Sequence, residues 1–285
     1  MGMSTFLVTG ASEGIGRALA LALASRNERV IIHGRNPKKT AAVLEEIHGA
    51  TGNEDVHSAV ADFASLEQVA ALGDEVAARF PDLNVLINNA GLLTDHRQLS
   101  QDGFELTFAV NYLAPFLLTR KLLYTLKANS PARIVNVAST ALGGGTIDFD
   151  NLQLETGFSG WQAYANSKLA NAMFSHALAR RLTGSGVVSN ALCPGLIDTN
   201  FFHTNTVFAN GAYERMQPGM RSPEEGALVP LYLATDLAAA ATNGEFFIRV
   251  GRDGRRSMPL GIDSQFAEQL WAQSETMLGP FASAS

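Results

Sequence analysis

The chain has 285 residues, a formal net charge of -6, and 46% hydrophobic against 17% charged residues. That balance supports a large core and excludes wholesale disorder, while the acidic excess argues against a general nucleic-acid binder, which presents a basic stripe. A single cysteine, Cys193, excludes an internal disulfide, and a reducing cytoplasm is the expected location. No basic-then-apolar leader precedes Phe6-Leu7-Val8. No apolar run approaches the ~20 residues that span a bilayer, so no membrane anchor is expected.

Short apolar runs recur along the chain at Phe6–Val8, Val30–Ile32, Val85–Ile87, Ile134–Val137, Val187–Leu192 and Phe246–Val250. They are rich in β-branched residues and alternate little, the pattern of strands covered on both faces. Segments with helical spacing lie between them, one around Leu19 and Leu23 and another through Val69, Leu72, Val76 and Phe80. Strand-then-helix repetition predicts right-handed crossovers and an α/β fold: one doubly wound parallel sheet with helices on both faces. No stretch reads as a linker, so residues 1–285 are expected to form a single domain. The least regular stretch, 196–221, carries Phe201, Phe202, Phe208, Tyr213, Met216 and Met220. So many aromatic side chains in an excursion over the sheet predict an apolar substrate lid rather than ordinary packing.

Thr9-Gly10-Ala11-Ser12-Glu13-Gly14-Ile15-Gly16 follows the first strand and opens the first helix. Gly10 permits the sharp turn, Gly14 lets backbone approach a pyrophosphate, and Gly16 allows close packing of helix on strand. The helix start offers unpaired N–H groups to an anion. The pattern alone would also suit an ordinary turn between strand and helix, but its position after the first strand favours the phosphate turn of a Rossmann-type sheet. After the second strand come Gly34 and Arg35. A carboxylate there would hold the ribose hydroxyls. Gly34 instead leaves the space empty and Arg35 can grip a 2′-phosphate, which favours NADP(H) over NAD(H). Glu13 counts mildly against this, since a basic residue in the turn would support it further.

Tyr164 and Lys168 stand four apart, on one face of a predicted helix. An unaided tyrosine is a poor acid or base at neutral pH. A neighbouring ammonium and a positively charged nicotinamide would both stabilise its phenolate. Ser139 follows the strand Ile134–Val137, at the strand end where open parallel sheets bind ligands. Its hydroxyl can hold a substrate oxygen near Tyr164. Pro115 lies four residues after Asn111. Proline lacks the N–H that would bond the Asn111 carbonyl in a helix, so that carbonyl is expected to be free for water.

Thr9–Gly16, Asn88-Asn89-Ala90-Gly91, Asn111, Ser139, Tyr164/Lys168 and Pro194-Gly195 with Thr199 occur in an order and spacing that resemble the short-chain dehydrogenase/reductase family over nearly the whole chain. Gly34-Arg35, the long interval from Ser139 to Tyr164, Asn166-Ser167-Lys168-Leu169-Ala170-Asn171 and Leu270-Trp271 resemble its retinol-dehydrogenase-like branch. The resemblance implies that Tyr164 is the general acid/base and that Lys168 lowers its pKa and binds the nicotinamide ribose. Ser139 would orient the carbonyl and Asn111 would anchor a relay water. Asn89-Ala90-Gly91 would line the adenosine side, with Asp62 and Phe63 at the adenine. The stretch from Pro194 and Gly195 through Ile197 to Thr199 would frame the carboxamide. Relatives commonly associate through the Tyr/Lys helix, so a homo-oligomer is left open.

The chain departs from the resemblance in two places. Members of that branch often carry an N-terminal membrane anchor, which is not expected here. Cys193 stands where they often have histidine and is read as a small buried hydrophobe rather than a reactive thiol. The six histidines show no ligand pairing, so no metal is expected. The absence of a G-x-S-x-G elbow disfavours a hydrolase. Arg249, Arg252, Arg255 and Arg256 are expected to form a solvated loop after the last strand. The expected activity is NADP(H)-dependent hydride transfer on an apolar carbonyl or alcohol. A sensor that binds NADP(H) without turnover is disfavoured by the full set Asn111, Ser139, Tyr164 and Lys168. An epimerase or dehydratase is disfavoured by the short chain left after the sheet.

Overall fold

The computed structural model describes residues 4–250, 254–258, 260–279 and 281. Its first half runs β1 (Thr5–Val8), α1 (Gly14–Ala24), β2 (Arg29–Gly34), α2 (Pro37–Thr51), β3 (Val56–Val60), α3 (Leu66–Arg79) and β4 (Val85–Asn88). A short helix α4 (Leu106–Phe108) passes through a π-turn at Ala109–Leu113 into α5 (Ala114–Ala128), β5 (Ala132–Val137), α6 (Gly160–Arg181) and β6 (Val187–Cys193). Then follow α7 (Asn200–Thr204), α8 (Ala212–Met216), α9 (Pro223–Thr235), β7 (Phe246–Val250), β8 (Gly254–Met258) and α10 (Ser264–Leu278).

The strands form one eight-stranded sheet in the order β3-β2-β1-β4-β5-β6-β7-β8. Every neighbouring pair is parallel except β7 with β8. The chain winds outward from β1 to β3, then returns to place β4 on the other side of β1. The connections leaving β1 and β4 therefore diverge, opening a crevice at the strand ends.

Burial on both faces explains the apolar runs. Leu7, Ile31, Leu86 and Ile134 share one core with residues of α3, α5, α6 and α10, among them Val69, Leu118, Phe174 and Trp271. Their neighbours in the strands, including Phe6, Val30, Ile87 and Val135, share the other with Leu19, Leu23, Ile47 and Val229. Helix α10 lies along α6, with Trp271 stacked on Phe174 at 5.7 Å and tilted against Phe116 at 4.6 Å. The Tyr112 hydroxyl meets Ser274 Oγ at 2.6 Å in the same buried layer.

The C-terminal arginines depart from expectation. Gly254–Met258 is not a loop but a strand, with Arg255 opposite Arg249 in antiparallel register on β7. Arg252 lies outside the described residues. The segment Gly-Arg-Arg-Ser-Met has no apolar run because it closes the sheet at an edge. The opposite edge strand, β3, is mixed in burial.

Candidate active site

All but one of the residues singled out for cofactor binding or catalysis line a single cleft of about 1270 Å³ at the strand ends. This exceeds the roughly 300–1,000 Å³ of a pocket for one drug-sized molecule and leaves room for two ligands. The exception, Asn111, stands behind the cleft wall.

The glycine turn forms the floor of the cleft. Gly10 (φ +64°) and Gly14 (φ +55°) adopt left-handed backbone. A Cβ on Gly10 would lie 2.8 Å from Ala90 Cα, and one on Gly16 would lie 2.3 Å from the Gly10 carbonyl oxygen. The Asn89-Ala90-Gly91 turn is fastened to this floor. Asn89 Nδ2 donates to the carbonyls of Thr9 (2.8 Å) and Gly10 (3.1 Å), and Thr9 Oγ1 accepts the N–H groups of Asn89 and Ala90. Side chains cap α2, α3, α9 and α10, whereas Glu13 makes no such bond to the start of α1. The first N–H groups of α1, with Ser12 and Ile15 beside them, therefore suit a pyrophosphate. The Glu13 carboxylate turns aside, accepting from Asn200 Nδ2 at 2.9 Å and standing 3.8 Å from Lys39 Nζ.

At the end of the cleft expected to take adenosine, Arg35 is exposed at the rim, and Asp62 and buried Phe63 form the wall. Asp62 Oδ1 accepts the Ala64 N–H at 2.9 Å. The space beside Gly34 is not empty, contrary to expectation. A Cβ there would meet Thr40 Oγ1 at 2.3 Å and Ser12 Cβ at 3.2 Å, so tight packing on α2 already explains this glycine. Lys39, which gave no motif signal, also borders the cleft.

The side chains expected to be catalytic meet above the end of β5. Ser139 leaves that strand in extended backbone, and its Oγ accepts the Ala141 N–H at 3.1 Å. The Tyr164 phenol faces the same hydroxyl, which opposes the rise in its pKa. Lys168, on the same face of α6, is 4% exposed and donates from Nζ to the Val137 carbonyl at 3.0 Å. Its ammonium lies 5.5 Å from the Tyr164 ring centre. Burial pushes the phenol well above its ordinary pKa, with the Ser139 hydroxyl opposing, and pulls Lys168 down from 10.5 to about 8. The lysine alone therefore does not hold the phenol low in this structure.

Buried Glu105 caps α4 through the N–H groups of Thr107 (2.8 Å) and Phe108 (2.7 Å), starting the helix that carries Asn111. The Asn111 side chain clasps the backbone of Leu92, accepting its N–H and donating to its carbonyl at 2.8 Å each, and donates to Ser167 Oγ at 3.0 Å. A Cβ on Gly91 would lie 3.2 Å from Asn111 Oδ1 and 3.4 Å from Lys168 Nζ, so the three residues converge. Pro115 does interrupt the regular helix, and Ala109–Leu113 relaxes into a π-turn. The Asn111 carbonyl nevertheless has a protein donor, Asn171 Nδ2 at 3.3 Å. Its second lone pair is what remains for water.

The side expected to take the carboxamide comprises buried Pro194 and Ile197, Gly195 at φ +103°, and Thr199, whose methyl would lie 3.2 Å from a Cβ on Gly14. Over it sits an aromatic cluster. Phe201 is 5.0 Å and Trp161 5.9 Å from the Tyr164 ring, and Phe208 packs against Phe201, Phe202 and Trp161. Cys193 is 4% exposed, packs with Ala138, Ala191 and Phe246, and borders the cleft beside Tyr164. Among the described residues no three His, Cys, Asp or Glu side chains cluster as metal ligands, and no helix is long and apolar enough to cross a membrane.

A doubly wound sheet whose glycine turn opens beside a Ser-Tyr-Lys group has the architecture of a dinucleotide-dependent oxidoreductase. The chain belongs to the short chain dehydrogenase family, whose sequence model matches residues 4–208, and within it to the retinol-dehydrogenase-like branch. Human retinol dehydrogenase 13 is 37% identical over 281 residues, covering 96% of this chain and 84% of the relative. Human retinol dehydrogenase 14 is 34% identical over 291 residues, covering 96% and 86%. A solved structure from Mycobacterium paratuberculosis matches with a TM-score of 0.75 at 31% identity, covering 97% of this chain and 93% of the other. A Beutenbergia cavernae structure with bound NADP matches with a TM-score of 0.70 at 32% identity, covering 86% and 94%.

Proposed function

We propose that the protein transfers hydride between NADP(H) and the alcohol or carbonyl carbon of an apolar small molecule. On this reading residues 1–285 act as one domain with 196–221 as a substrate lid, and the location is cytoplasmic. The observation that carries the reading is the meeting of the Tyr164 phenol, the Ser139 hydroxyl and the Lys168 ammonium in the cleft floored by the glycine turn.

The turn's backbone N–H groups and the start of α1 would hold the pyrophosphate, while Asp62 and Phe63 would face the adenine. Arg35, with Lys39 nearby, would meet a 2′-phosphate, which favours NADP(H) over NAD(H). When bound, the nicotinamide would supply the hydride chemistry, and its oxidised form a positive charge that favours the Tyr164 phenolate. Ser139 would hold the substrate oxygen, and Tyr164 would pass a proton to it or take one from it. Lys168 would bind the nicotinamide ribose and stabilise the phenolate, and Asn111 would fix the backbone behind the proton path. The aromatic cluster at Trp161, Phe201 and Phe208 favours a flat or extended apolar substrate. The retinol dehydrogenases among its relatives are named for such an alcohol.

Tyr164→Phe removes only the phenol oxygen. Steady-state turnover with a panel of apolar aldehydes and ketones should fall at least ~10²–10⁴-fold, the usual worth of general acid–base catalysis, while NADPH binding stays intact. Turnover that survived the substitution would overturn the role given to Tyr164.

A further inference from the structure

His33 lies inside β2, 2% exposed, and both its ring nitrogens have partners. Nδ1 faces the Gly10 N–H at 3.3 Å and Nε2 faces the Ala61 carbonyl at 3.0 Å. A carbonyl only accepts, so Nε2 carries the proton and Nδ1 offers its lone pair to Gly10. The ring also stacks on Phe63, with centres 4.4 Å apart and planes 21° apart. The residue's own carbonyl accepts the Ala11 N–H at 2.8 Å. One residue thus fastens the Gly10 and Ala11 N–H groups of the glycine turn, the chain leading to Asp62, and the aromatic wall on the adenosine side.

We propose that neutral His33 is a positioning residue for the dinucleotide, setting the glycine turn and the Phe63 wall in the arrangement that receives the adenosine half. The proposal rests on the cleft being a nicotinamide dinucleotide site. An apolar side chain at position 33 would leave the Gly10 N–H and the Ala61 carbonyl to find other partners, loosening both sides of the adenosine pocket. Burial favours the neutral ring, lowering its pKa from 6.5 to about 4. His33 is remote from the hydride-transfer group, so the effect falls on cofactor affinity and not on the chemical step.

The test compares His33→Phe, which keeps a ring against Phe63 but neither hydrogen bond, with His33→Gln, whose amide can accept and donate. Dissociation constants for NADPH and NADH are read by fluorescence titration, and kcat at saturating cofactor in parallel. The phenylalanine variant should bind both dinucleotides about tenfold more weakly, a loss of one to two buried hydrogen bonds, with kcat within about twofold. The glutamine variant should recover affinity to within about threefold of the parent. Equal weakening of both cofactors marks the shared adenosine half and separates this role from that of Arg35. If His33→Phe does not fold, His33→Asn, whose short amide reaches one partner at a time, takes its place with the same expectation. Unchanged affinity with only a lowered melting temperature would overturn the positioning role alone. A parent protein that bound neither dinucleotide would overturn the cleft assignment and this role with it.

Discussion

The Lys168 ammonium is tied to the Val137 carbonyl at 3.0 Å, where β5 gives way to the strand end that carries Ser139. One hydrogen bond thereby joins helix α6 to the strand end on which the substrate oxygen would rest. The ammonium is also nearly dry, so it is held at a cost to the fold that its chemical role would justify.

That cost gives the first prediction. Burial lowers the Lys168 pKa from 10.5 to about 8, so between those values the unfolded chain binds a proton that the folded chain refuses. Stability from this group therefore falls as pH drops from 10.5 towards 8 and stays at the lower level below. Lys168→Met should stabilise the cofactor-free protein at pH 7 by about 1–3 kcal/mol, the discount from the full shift reflecting the orphaned Val137 carbonyl. The same substitution should abolish most turnover. Urea unfolding and NADPH oxidation measured on one preparation would check both; a destabilised variant would contradict the argument.

Arg35 gives the second. It stands exposed at the rim, where a charge-assisted bond to a 2′-phosphate is partly screened by water. Arg35→Ala should raise the KM for NADPH about tenfold and leave the KM for NADH nearly unchanged. Equal rises for the two cofactors would remove Arg35 from the 2′-phosphate.

The sheet was legible because parallel strands buried on both faces must be continuously apolar, as Val30–Ile32 and Ile134–Val137 are. The edges showed no such run, for the opposite reason. β3 mixes buried and half-buried positions and β8 carries two arginines, since an edge needs no unbroken apolar run. The spacing of Tyr164 and Lys168 announced a shared helix face because helical geometry is local. The use of His33 was hidden, because its partners Gly10 and Ala61 reach it only through the winding of the sheet. The packing of Thr40 and Ser12 into the space beside Gly34 was hidden for the same reason.

His33 also carries a pH prediction. Its pKa falls from 6.5 to about 4 through burial, with the Ala61 hydrogen bond and the charge of Asp62 opposing. Between those values the unfolded chain takes up a proton that the folded chain excludes, so stability from this group is intact above pH 6.5 and is lost as pH falls towards 4. The loss should approach about 3 kcal/mol. Denaturation curves at pH 7, 5.5 and 4.5 should show a shallower decline for His33→Gln than for the parent. Parallel curves would contradict the assignment.

The proposed lid has its own fastening. The Asp95 carboxylate accepts the N–H groups of Thr206 at 3.0 Å and Val207 at 3.3 Å, just before Phe208 enters the aromatic cluster. These bonds hold the carboxyl below its ordinary pKa. Asp95→Ala removes a cap worth about 1 kcal/mol and should raise the KM for an apolar substrate about fivefold, leaving the KM for NADPH unchanged. A substrate KM that did not move would show that this contact leaves the lid's position unaltered.

Helix α10 is woven under α6, with Trp271 against Phe174 and Ser274 against the Tyr112 hydroxyl. A nascent chain that had already delivered Tyr164 and Lys168 would still lack one wall of the layer that seats them. On the proposed function, the order of synthesis would delay the reaction centre: its assembly would wait until a segment about a hundred positions downstream of Tyr164 has left the ribosome and docked.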